Sequence, residues 1–116
     1  MFDFEKLEVY NLLHQLNLDV LKYIISNKEV DDYMKDQWRR ATLSIELNLA
    51  EGVGRHSIPD KKRFLTTARS SVFECAAIIN LLRDFELLED VQYQHFYDGY
   101  TSVSKMLLAM YRSYNK

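Results

Sequence analysis

The sequence predicts an all-α protein, an antiparallel up-down four-helix bundle forming one domain over residues 1–116. Three observations carry that prediction. Chain-breakers are scarce, with three glycines and one proline in 116 residues, too few for the tight turns of an all-β fold. Apolar residues recur at steps of three and four, the helical period, and no stretch alternates as a half-buried strand would. Polar or acidic breaks at Asn27–Asp31, Gly52–Pro59 and Leu88–Asp90 cut the chain into four segments, each long enough for a helix.

The first segment, about residues 4–27, places Val9, Leu13, Leu16, Val20 and Ile24 on one stripe. The second, about 31–53, does the same with Met34, Trp38, Ala41, Ile45, Leu49 and Gly52. In the third, about 58–87, the stripe is Phe64, Ala68, Ser71, Cys75, Ile79 and Leu82. Ser57 is its expected N-cap, Pro59 fits its first turn, and Asp60 stands at the capping-box position. The fourth, about 90–115, carries Phe96, Tyr100, Val103, Leu107, Met110 and Tyr114. Glu89 and Asp90 favour its start, because carboxylates complement the positive end of a helix. Each stripe must be buried against a neighbour, and short connections make consecutive helices antiparallel.

Two helices are apolar on a second side. At about 100° per residue, Leu43, Leu47 and Ala50 project away from the stripe of the second helix. Phe73, Ala77 and Leu81 do the same on the third. A four-helix bundle offers each helix only one interior. These six residues are therefore the expected interface of a homo-oligomer.

The formal net charge of −2 argues against a molecule that wraps nucleic acid over its whole surface. The charge is nevertheless uneven. Residues 35–69 hold eight bases and four acids, a segment charge of +4, leaving −6 for the rest of the −2 total. Within it Arg55, Lys61, Lys62 and Arg63 surround the loop and the start of the third helix. They are the candidate nucleic-acid contacts, since a helix start already favours anions. The single cysteine, Cys75, excludes an intrachain disulfide. The acidic opening Met1–Glu5 is no signal peptide, and no apolar run reaches the ~18–20 residues that span a bilayer. A cytoplasmic protein without membrane contact is expected.

No catalytic or metal site is expected, and no cofactor. His14, His56 and His95 lie on different segments with no His or Cys three or four residues away. The paired Glu-x-x-His of di-iron bundles is missing. Cys75 sits on a core stripe without a basic neighbour in sequence, as a packing residue would. Gly52-Val53-Gly54 lacks the lysine of a phosphate loop and reads as a helix end. One polar constellation stands out: Gln37, Arg40, Ser44, Asn48, Glu51 and Arg55, at steps of 3, 4, 4, 3 and 4. It lies between the two apolar faces of the second helix and needs partners, with Arg69, Ser71 and Glu74 of the third helix as candidates. The expected role is a hydrogen-bonded network fixing helix register. A polar pocket for a small molecule or substrate is the alternative.

The run Ser44-Ile45-Glu46-Leu47-Asn48-Leu49-Ala50-Glu51-Gly52, followed by Phe64-Leu65 and Ala68-Arg69-Ser70-Ser71-Val72-Phe73-Glu74, resembles a bacterial family. Its members are four-helix-bundle proteins encoded in intervening sequences of large-subunit ribosomal RNA genes. That resemblance implies the same up-down bundle and a ring-shaped homopentamer. A related branch, the accessory variability proteins of diversity-generating retroelements, implies binding of RNA or DNA and of a protein partner through a basic surface. Ser70 stands where the family pattern has glycine, and the net charge of −2 departs from that basic surface. The function expected is therefore a non-enzymatic, homo-oligomeric interaction protein with candidate nucleic-acid association. A scaffold binding a protein from a neighbouring gene is the alternative.

Overall fold

The computed structural model describes residues 1–115. A 3-10 turn, Asp3–Lys6, leads into helices α1 (Glu8–Ser26), α2 (Asp32–Gly54), α3 (Ile58–Asp84) and α4 (Asp90–Ser113). Among the described residues there is no strand. The four helices form an elongated bundle of 45 × 24 × 22 Å. Helices α2 and α3 make the most extensive pair, followed by α3 with α4, while α1 packs on both α2 and α4.

The apolar stripes meet in one core. Leu13, Val20, Ile45, Leu49, Ala68, Cys75, Ile79, Leu82, Val103 and Leu107 are fully buried. Trp38, Phe96 and Tyr23 form an aromatic knot across three helices, with Trp38 and Phe96 centroids 5.7 Å apart. Trp38 Nε1 donates to the Tyr100 hydroxyl at 3.0 Å, which removes the cost of burying both polar tips. Close approach of α2 to α3 depends on Gly52: a Cβ there would lie 2.8 Å from Phe64 Cβ.

The helix ends have identifiable causes. Asp31 Oδ1 accepts from Met34 N at 2.8 Å, capping α2. Ser57 Oγ accepts from Asp60 N at 3.2 Å, and Pro59 lies in the first turn of α3. Lys61 Nζ donates to the Val53 carbonyl at 2.8 Å, closing the C-terminal end of α2. At the opposite end Asn27 Oδ1 accepts from the amides of Glu29 and Val30. Its amide nitrogen donates to the Tyr23 hydroxyl, which donates to the Leu87 carbonyl at 3.0 Å. The two loops at that end are thereby tied together, with Val30 and Leu88 buried beneath them.

Three features differ from the sequence expectations. The first helix starts at Glu8, because residues 3–6 form a 3-10 turn whose Glu5 side chain accepts from the Phe2 amide. The third helix ends at Asp84 and not near 87. Leu87 N donates to Leu82 O at 2.8 Å and Glu86 N to Arg83 O at 2.9 Å, a Schellman closure with Glu86 at φ 61°. Glycine is the usual residue there, so its absence hid the stop. On α3 the buried stripe includes Leu65 and Val72, while Ser71 is only half-buried.

Candidate functional site

The polar stripe of α2 does not form one continuous network. Asn48 Nδ2 donates to the carbonyl and the hydroxyl of Ser44, and Ser71 Oγ donates to Ser44 Oγ at 2.8 Å. This three-residue cluster fixes α2 against α3. The remaining members lie outside it. Glu51 pairs with Arg55 at 3.3 Å along the helix, and Arg40 pairs with Asp36 at 3.1 Å. Glu74 is exposed, and the Gln37 side chain, within α2, makes no hydrogen bond to another described residue. Arg69 turns the other way, its Nε donating to the Ser104 carbonyl of α4 at 3.2 Å and its guanidinium stacking on Phe73 at 4.8 Å.

The basic cluster gathers at one end of the bundle, and each of its cations has a partner there. Arg55 and Arg63 both stack on the Phe64 ring, at 4.6 and 4.5 Å. Arg63 also lies 3.6 Å from Asp60. Lys61 is held by the Val53 carbonyl, and Lys62 by Asn115 Oδ1 at 2.6 Å and the Tyr111 ring. A phosphate would have to compete with these contacts, though those of exposed groups are individually weak.

Four of the six second-face residues stand well out of the core. Leu43, Leu47, Phe73 and Leu81 are 45, 64, 56 and 53% exposed. Ala77 is exposed and Ala50 half-buried. Phe73 borders a pocket of 180 Å³ between α3 and α4, lined also by Leu65, Arg69, Leu108 and Tyr111.

One cluster escaped the sequence reading. Glu46, on the α1 side of α2, accepts from Tyr10 OH at 2.7 Å, from His14 Nδ1 at 2.8 Å and from Asn17 Nδ2 at 3.1 Å. Asn17 Nδ2 also donates to the Thr42 carbonyl, while its buried Oδ1 has no partner among the described residues. Burial pushes the Glu46 carboxyl up, but the hydrogen bonds from His14, Tyr10 and Asn17 outweigh it and hold the group below its ordinary range. Burial and then Glu46 push the Tyr10 hydroxyl up to about 12. The signal lay on α1, where Tyr10, His14 and Asn17 recur at steps of 4 and 3. The cluster joins two helices as a clasp. Its side-chain to side-chain hydrogen bonds all converge on Glu46, and the Tyr10 and His14 rings stack with centroids 5.7 Å apart.

The Cys75 thiol is buried 3.9 Å from Thr42 Oγ1, and desolvation pushes it up to about 12. Among the described residues, no group of three or more His, Cys, Asp or Glu could hold a metal ion. No helix among them is long and apolar enough to cross a membrane.

The family model described as 23S rRNA-intervening sequence protein matches residues 5–109. A solved structure, a protein of unknown function from the S23 ribosomal protein family of Bacteroides thetaiotaomicron, superposes with a TM-score of 0.83. It shares 21% identity, covering 89% of this chain and 97% of that one. At that identity the likeness shows the fold alone. No curated protein matches the chain.

Proposed function

The chain belongs to the 23S rRNA-intervening sequence protein family, and from that premise we propose that it acts as a non-enzymatic, self-associating interaction protein. One observation carries this reading. Leu43 and Leu47 on α2, with Phe73 and Leu81 on α3, spend large side chains on the surface of a bundle whose core is already filled. Monomers seldom keep extensive apolar surface open to water. Burial of these side chains between subunits would recover about 25 cal/mol for each Å² of apolar surface removed from water. A ring-shaped homopentamer is the assembly that the family resemblance implies. Sedimentation equilibrium at micromolar concentration tests the proposal: a mass several times 13.8 kDa is expected, and a monomer at all concentrations would overturn it.

A nucleic-acid reading has its own observation, the gathering of Arg55, Lys61, Lys62 and Arg63 at one end. Repetition around a symmetry axis would multiply that positive field. Binding to RNA should then weaken steeply with salt and fall further when Lys61, Lys62 and Arg63 are reversed to glutamate. Absence of binding at low salt would remove nucleic acid from the function and leave a protein-binding scaffold.

A further inference from the structure

Arg69 differs from the other half-buried arginine of the bundle. Arg83 has a carboxylate, Asp84, at 3.1 Å. Arg69 has none within 4.0 Å among the described residues. Its Nε is spent on the Ser104 carbonyl and one face of the guanidinium on Phe73. Its Nη groups donate to no described residue. A half-buried guanidinium with open, fork-shaped donors is suited to a carboxylate arriving from outside.

The surroundings state what else such a visitor must carry. Arg69 lies on the apolar pocket between α3 and α4, with Phe73 one turn along and Ala77 the turn after. These three residues are four apart, so they form one ridge line about 12 Å long on the outer side of α3. The visitor should present a carboxylate, then apolar groups at about 6 and 12 Å along a helix.

This chain presents that pattern itself. On α2, Glu51, Leu47 and Leu43 are also four apart and exposed, running in the opposite direction. Laid antiparallel on α3, Glu51 meets Arg69, Leu47 meets Phe73 and Leu43 meets Ala77. The charges are complementary, and the two leucines face one aromatic and one small residue. The Glu51–Arg55 contact that must loosen is an exposed i,i+4 pair, a weak competitor. Within one chain the match cannot be used, because α2 and α3 turn these faces outward and meet through Ser44, Ser71 and Gly52.

We propose that the outer face of α2, through Leu43, Leu47 and Glu51, docks on the α3 ridge of a second copy, with Glu51 taking the open guanidinium of Arg69. The inference rests on the self-association reading and specifies its contact. The test is a charge swap, read by sedimentation and by circular dichroism for fold. Arg69→Glu and Glu51→Arg should each raise the subunit dissociation constant about tenfold or more while helicity stays. The double variant R69E/E51R should return it to within about threefold of the parent. Leu47→Asp, at a position 64% exposed and outside the core, should also dissociate the assembly. Single variants that assemble like the parent, or a double variant no better than the singles, would overturn this contact while self-association stands. A monomeric parent would overturn self-association itself.

Discussion

At Gly52 an added Cβ meets Phe64 Cβ at 2.8 Å, an atom fixed close to its own backbone. At Gly99 the same atom meets Leu16 Cδ1 at 2.6 Å, the movable end of a side chain, and at Gly54 it meets nothing within 4 Å. Overpacking at a rigid contact costs about 1–3 kcal/mol, while replacing a helical glycine by alanine gains about 0.5–1 kcal/mol. Gly52→Ala should therefore destabilise clearly, Gly99→Ala less, and Gly54→Ala should be neutral or stabilising; urea titrations order the three. Glu46 allows a pH test. A carboxyl held below its ordinary value in the fold contributes stability that is complete above that ordinary value and is lost as pH falls through the lowered, folded-state one. The stability difference between the parent and Glu46→Gln should shrink as pH falls from about 5 to 3. With its thiol pushed up to about 12 and buried, Cys75 should resist a disulfide reagent at pH 8 until the chain unfolds.

The helices themselves were largely legible, because apolar spacing reports which side of a helix leaves water. Ser57 was legible as a cap because hydroxyls at that position answer free amides. What the sequence withheld depends on pairs distant in the chain. Glu46 meets Tyr10, His14 and Asn17 across 29 to 36 residues, and nothing near it in sequence marks it as clasped. Spacing along α2 gathers its polar residues into one stripe but cannot say which neighbour a side chain reaches, and Arg69 of α3 reaches α4. The end of α3 carries no glycine signal, since Glu86 takes the left-handed conformation there. That strain is testable: Glu86→Gly should stabilise the turn by about 1 kcal/mol, read from the shift in unfolding midpoint. Ser57→Ala should cost about 1 kcal/mol, and combined with Asp31→Ala, at the opposite end of α2, the losses should add.

Over the whole molecule, core and outer faces answer to different solvents. The core stripes are satisfied within one chain, whereas Leu47 and Phe73 are not. If assembly buries them, folding and association become linked, and the melting temperature should rise with protein concentration. Leu47→Asp should abolish that dependence while leaving the dilute-limit melting temperature nearly unchanged, as checked by calorimetry across a hundredfold dilution series. The knot around Trp38 supplies an optical means of separating the two events. Trp38 is the only tryptophan, 1% exposed, with its indole nitrogen donating to Tyr100 and its ring against Tyr23 and Phe96. An indole so enclosed emits at short wavelength as long as the bundle holds, and no subunit contact on the outer faces of α2 and α3 reaches it. Its fluorescence should therefore stay constant as assemblies dilute into single bundles and shift red only when a bundle opens.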